Sequence, residues 1–160
     1  MTQMLELTRR TFLVGTAVTT MNVASAQEPG APPVMRVSKD PNCGCCTGWV
    51  EHVRAAGFQT TVIEMNDLAP LKARLKVPSR MASCHTAEMG GYVIEGHVPA
   101  VAIRRLLSER PAAIGLAVPG MPVGSPGMEV SGAADEPYEV MLFGPSGDRS
   151  YGRFLGSRAL

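Results

Sequence analysis

Val34-Met35-Arg36-Val37-Ser38-Lys39-Asp40-Pro41-Asn42-Cys43-Gly44-Cys45-Cys46-Thr47-Gly48-Trp49-Val50-Glu51-His52-Val53 reads as a strand, a turn and the start of a helix. Val34 to Ser38 mixes apolar and polar residues at strand spacing. From Thr47 to Ala56 the apolar residues Trp49, Val50 and Val53 recur at helical spacing until Gly57. Between the two, Pro41 and Asn42 shape a turn, and three of the chain's four cysteines fall there.

The same reading continues outward. Phe58 to Met65 is rich in β-branched residues and predicts a strand. Asp67 is placed to cap a helix from Leu68 to Lys76, closed by Pro78. Cys84-His85 reads as a turn, Tyr92 to Val98 as a strand, and Pro99 to Arg110 as a helix with proline in its first turn. Tyr138 to Phe143 and Ser150 to Phe154, separated by Gly144-Pro145-Ser146-Gly147-Asp148, predict a terminal hairpin. This order of elements predicts an α/β fold with a mixed β-sheet flanked by helices. It also puts the cysteine cluster at the carboxyl end of a strand, where open α/β sheets carry their ligand sites.

The beginning of the chain reads as an address. Arg9-Arg10 precedes a short apolar run, Phe12 to Val23, and Ala24-Ser25-Ala26 supplies a small-x-small cleavage site. Residues 1–26 are therefore expected to be a twin-arginine-type signal peptide, giving a periplasmic protein that starts near Gln27 with no stable membrane insertion. Residues 27–33 are expected to be a flexible Pro/Gly-rich start, and 34–160 a single domain. Setting aside Arg9, Arg10 and Glu6 from 15 Lys plus Arg and 14 Asp plus Glu leaves 13 of each. That balance, with no basic run, argues against nucleic acid as a partner.

The functional candidates are Cys43, Cys45, Cys46 and Cys84. At a helix N-terminus the partial positive charge favours thiolate over thiol, so the clustered cysteines are expected to have lowered pKa values. Cys43 and Cys46 share one face of the helix start, and Cys45 is expected to point elsewhere. Three chemistries fit. Two disulfides would suit an exported chain with an even cysteine count. Cys43-Gly44-Cys45-Cys46 also contains the Cys-x-x-Cys of a thiol-disulfide oxidoreductase. Finally, four thiolates form a soft ligand set for Cu(I), with structural zinc as the alternative metal. Sulfurs crowded as Cys-x-Cys-Cys are placed to bridge several Cu(I) ions, and four Cu(I) would neutralise four thiolates.

Weaker ligand candidates are His85, beside Cys84, and Met121 and Met128, which flank a Pro/Gly-rich loop. Thioethers suit Cu(I) better than zinc, although methionine also fills core gaps. Two further candidates are weaker: His52, one helical repeat beyond Cys45, could face the cluster but reads better as a solvent-side helix residue, and His97, before Val98-Pro99, could serve the site or as easily be a turn residue. Trp49, the single tryptophan, is expected in the core beneath the cluster.

Lys39 to Trp49, Ser83-Cys84-His85-Thr86, Tyr92 to Pro99 and Gly115 to Glu129 resemble the signature blocks of the CopG-type copper-resistance proteins, an exported bacterial family. The resemblance spans roughly Val34 to Phe154. It implies a thioredoxin-like fold and a multinuclear Cu(I) cluster bridged by Cys43, Cys45, Cys46 and Cys84. It further implies copper ions as partners, possible contact with other periplasmic copper-handling proteins, and a part in copper resistance or homeostasis through Cu(I)/Cu(II) redox chemistry. Were the chain an enzyme, it would be a copper oxidoreductase working through those four cysteines.

Overall fold

The computed structural model describes residues 33–160. The signal-peptide reading of 1–26, and all of the 27–33 segment except Pro33, lie outside the described residues. Among the described residues no helix is long and apolar enough to cross a membrane.

Eight strands form one sheet: β1 (Met35–Lys39), β2 (Thr60–Glu64), β3 (His85–Met89), β4 (Tyr92–Glu95), β5 (Gly115–Ala117), β6 (Tyr138–Phe143), β7 (Arg149–Leu155) and β8 (Arg158–Ala159). Their spatial order is β2-β1-β3-β4-β5-β6-β7-β8. The β1/β2 and β4/β5 pairs are parallel and the other pairs antiparallel, so the sheet is mixed, as expected. Three helices accompany it: α1 (Gly44–Ala55), α2 (Ala69–Arg74) and α3 (Ala100–Glu109).

Period-two alternation sorts the strand residues between two faces. Met35, Val37, Ala87, Met89, Tyr92, Ile94, Leu116 and Val140 share a core with Trp49, Val50 and Val53 of α1 and Ile103 and Leu106 of α3. Val93, Ala117, Phe143 and Met81 form a smaller cluster on the opposite side. In α1 the buried residues Cys46, Trp49, Val50 and Val53 follow i, i+3, i+4, i+7, which makes one continuous apolar stripe. Trp49 is completely buried, and its indole N–H donates to the Val98 carbonyl at 2.9 Å, so its polar edge is satisfied.

Several predicted elements need correction. Helix α1 begins at Gly44 rather than Thr47, so Cys45 and Cys46 lie inside its first turn and Cys43 is its N-cap. Helix α2 is shorter than predicted, although the Asp67 carboxylate does accept from the Ala69 N–H at 2.9 Å. His85 to Met89 is a strand, whereas the sequence reading put His85 in a turn and gave Thr86 to Met89 no element. Gly90 and Gly91, both at positive φ (58° and 88°), make the tight connection to β4. Such paired left-handed residues are what a two-residue hairpin requires, and glycine adopts them freely. The short strands β5 and β8 were also missed, because three and two residues carry no periodicity to read.

Candidate metal centre

The turn from β1 into α1 delivers three cysteines, and the residue just before β3 delivers the fourth. The sulfurs of Cys43, Cys45, Cys46 and Cys84 all lie within 4.8 Å of one another. Cys43 and Cys46 are joined as a disulfide, while Cys45 and Cys84 are free. One bridge therefore forms where two were conceivable, and it is the Cys-x-x-Cys pair. Cys43, as N-cap, has extended backbone (φ −78°, ψ 97°), which turns its side chain back over the first helical turn, where its sulfur accepts from the Cys46 N–H at 3.3 Å. For the same reason Cys45 does not point away: its sulfur stands 3.5 Å from that of Cys43.

Cys84 sits among imidazoles. Its sulfur is 3.3 Å from His85 Nδ1 and 3.1 Å from His97 Nε2. His97 Nδ1 lies 2.8 Å from the Pro126 carbonyl, an obligate acceptor, so Nδ1 carries the proton and Nε2 presents a lone pair to Cys84. The Pro126 carbonyl thereby fixes both the tautomer and the orientation of the imidazole. Cys84, His85 and His97 thus form a second group of potential metal-holding atoms that shares Cys84 with the first. His97 is fully buried and stands in the bend after β4, and it joins this group as well, so both alternatives of the sequence reading hold. Only its neighbourhood to Val98-Pro99, where the chain changes direction at the end of β4, hinted at a site role. His52 is not a solvent-side residue: its Nε2 accepts the Ala100 N–H at 3.1 Å, capping α3 from outside that helix.

The expectation of lowered pKa values concerned the cysteines at the helix start and not Cys84. At Cys84 burial, followed by the nearness of Cys45, pushes the thiol up to about 12. Burial also lowers all three imidazoles. His85 is held well below the ordinary value, with His97 and Lys72 adding to the effect, and His97 and His52 shift in the same direction. Among the described residues His85 Nε2 has no hydrogen-bond partner although it is buried. An unsatisfied buried polar atom costs ~1–3 kcal/mol, and the ring that carries it turns its other nitrogen, Nδ1, to the Cys84 sulfur.

These lowered imidazoles make stability pH-dependent. Below about pH 6.5 the unfolded chain takes up protons that the folded chain refuses, so this part of the stability is complete above that value and is lost as pH falls toward the folded pKa values. Glu95, raised by burial against the pull of Lys72, works in the opposite direction, and three imidazoles against one carboxylate set the net sign. Urea midpoints of the metal-free protein should fall between pH 7.5 and 5.5, with His85 contributing at most ~1.4 kcal/mol per pH unit. A midpoint that is flat or rises over that range would contradict the burial of these rings.

The loop that carries Met121 and Met128 is pinned over the cluster. Gly120 accepts from the Ser83 hydroxyl at 3.1 Å, and Pro126 accepts from His97. Gly127, at φ +84°, lies so close to the first turn of α1 that an added Cβ would come within 2.5 Å of the Cys45 carbonyl oxygen and 2.6 Å of the Trp49 nitrogen. Only glycine fits there. Met121 is exposed and Met128 partly buried. The structure therefore brings together the four cysteines, His85 and the weaker candidate His97, and sets the two methionines on the covering loop.

Residues 81–128 match a family model described as a protein of unknown function, DUF411. No curated protein matches. Two solved structures, forms 1 and 2 of a copper resistance protein CopG, are each 43% identical with a TM-score of 0.72 and cover 78% of this chain. This chain in turn covers 98% of form 1 and 99% of form 2. With that identity over nearly the whole of the solved chains, and with the cysteine cluster assembled as described, the chain belongs to the CopG family of copper resistance proteins.

Proposed function

We propose that this protein binds copper at Cys43, Cys45, Cys46 and Cys84, with His85 and His97 as nitrogen donors, and that it interconverts Cu(II) and Cu(I). The observation that carries this reading is the convergence of four sulfurs within 4.8 Å, two of which are already joined as a disulfide. Reduced, the four thiolates are the soft, charge-matched set for a multinuclear Cu(I) cluster. Oxidised, the set keeps Cys45, Cys84 and the two imidazoles, a harder mixture that accepts Cu(II) more readily.

The redox step balances. The Cys43/Cys46 dithiol gives up two electrons and two protons and closes its S–S bond. Two Cu(II) ions take one electron each and become Cu(I), and the protons pass to water. An external dithiol reductant restores the pair. Copper is the substrate of this step, and the cysteines carry the electrons. The twin-arginine-type signal expected in residues 1–26 and the oxidisable cluster together support a periplasmic role in copper resistance, in which copper is received from or passed to other copper-handling proteins there. The thioredoxin-like description rests on the family resemblance.

The test titrates Cu(II) anaerobically into the fully reduced protein while Cu(I) is read with a chromogenic chelator and disulfide by mass spectrometry. Two Cu(I) per Cys43–Cys46 disulfide are expected, and Cys46→Ser should abolish the yield. Tight copper binding with no disulfide formed would leave sequestration alone, and one bound zinc per chain would replace the reading with a structural zinc site. The Cys-x-x-Cys disulfide at a helix start also favours a thiol-disulfide oxidoreductase. That reading predicts insulin reduction by the metal-free protein and little loss on Cys84→Ser.

A further inference from the structure

Glu95 is fully buried, and neither copper binding nor copper reduction as described above uses it. Its Oε1 accepts from the Ser83 N–H at 2.6 Å and from the Lys72 ammonium of α2. Its Oε2 accepts from the Thr86 hydroxyl at 2.7 Å, and that hydroxyl oxygen accepts in turn from Lys72 at 2.8 Å. Ser83 and Thr86 are the residues immediately before and after Cys84-His85. One carboxylate therefore holds both ends of the dipeptide that supplies a sulfur and an imidazole to the cluster.

The position in the sheet explains the need. Thr86 pairs with Glu95 as the last rung of the β3/β4 ladder, so Ser83 and Cys84 lie beyond the ladder with no strand pairing to hold them. The Gly96 N–H, next to Glu95, donates to the His85 carbonyl at 3.0 Å and steadies the same segment from behind. Burying an ion pair costs several kcal/mol of desolvation, and a packed apolar pair of similar volume is often no less stable. What an apolar pair would lack is the two-ended grip on Ser83 and Thr86.

We propose that the Lys72–Glu95 pair is a positioning device that sets where Cys84 and His85 meet the sulfurs of Cys43, Cys45 and Cys46. The inference deepens the copper reading and rests on it. Glu95→Gln preserves volume and one acceptor but turns the other oxygen into a donor: in the place of Oε2 it cannot accept from Thr86, and in the place of Oε1 it can accept from neither Ser83 nor Lys72. Cu(I) affinity should fall about 10–100-fold, the usual effect of removing an outer partner of a metal ligand. In the metal-free disulfide form, alkylation of Cys84 should become severalfold faster while that of Cys45 is unchanged.

The double variant Lys72→Met/Glu95→Gln removes the orphaned ammonium and separates placement from stability. A urea midpoint restored to wild type with Cu(I) affinity still low and Cys84 still fast establishes positioning. Recovery of affinity and reactivity together with the midpoint overturns it, as does equal acceleration of Cys45 and Cys84 in Glu95→Gln. Thr86→Val keeps the β-branched shape, deletes one contact and supplies the same readouts should Glu95→Gln not fold. If wild-type protein holds no Cu(I), the copper reading fails, and the metal-free alkylation rates still decide the role of Glu95.

Discussion

Cys84→Ser is expected to lower the copper bound per chain by at least one ion, and by more than His85→Ala does. The serine keeps the size of the side chain and still donates to His97 Nε2, so the fold should be undisturbed, while the proposed copper site loses one of its four sulfur ligands. A hydroxyl is a poor ligand for Cu(I), whereas loss of His85 removes a borderline nitrogen and leaves every thiolate in place. The measurement is elemental analysis of protein purified anaerobically from copper-supplemented cells, beside a thiol count. In the disulfide form the count should drop from two free thiols, Cys45 and Cys84, to one. Equal copper in the two variants would remove Cys84 from the site. Because the Cys84 thiol is pushed up to about 12, copper bound there as proposed would have to displace its proton. Affinity should therefore weaken as pH falls, by about tenfold per pH unit for each proton displaced.

Trp49→Ala should cost ~3–5 kcal/mol of stability, the range for truncating a buried large aromatic. Trp49 is completely buried in the core between the sheet and α1, and its ring centroid lies 4.4 Å from that of His85. Truncation leaves a cavity directly beneath the cluster, orphans the Val98 carbonyl, and frees the His85 ring. Trp49→Phe keeps most of the volume and should lose ~1–3 kcal/mol, mainly for the unpaired carbonyl. Urea denaturation followed by circular dichroism is the appropriate measurement, since the chain's only tryptophan is gone in both variants. An alanine variant within ~0.5 kcal/mol of wild type would mean that the α1 interface is not as closely packed as its burial indicates.

The elements that could be read from sequence are those whose signal is local. Helix α1 showed itself through the spacing of Trp49, Val50 and Val53, and the β6/β7 hairpin through its flanking strands and Gly/Pro-rich turn. Strand β3 was hidden because His85, Thr86 and Glu88 are polar residues that the fold buries or half-buries by tertiary pairing, Thr86 with Glu95 and His85 against Trp49. Gly90-Gly91 was the available clue to it. His97 and His52 stayed weak candidates for a related reason: their hydrogen-bond partners, Pro126 and Ala100, lie 29 and 48 residues away.

By itself the sequence determined that three cysteines stand at the end of the first strand and the start of the first helix, because turn residues and helical periodicity act within a few residues of one another. Which sulfurs meet was decided only by the tertiary structure. Cys84 reaches Cys46 across 38 residues because β3 pairs antiparallel with β1, with Lys39 opposite His85, and because Glu95 grips the segment just outside that ladder. Sheet register and buried hydrogen bonds set such long-range meetings, and neither leaves a periodic trace in the chain. The raised Cys84 thiol and the neutral histidines have the same origin, since burial is a property of the assembled core.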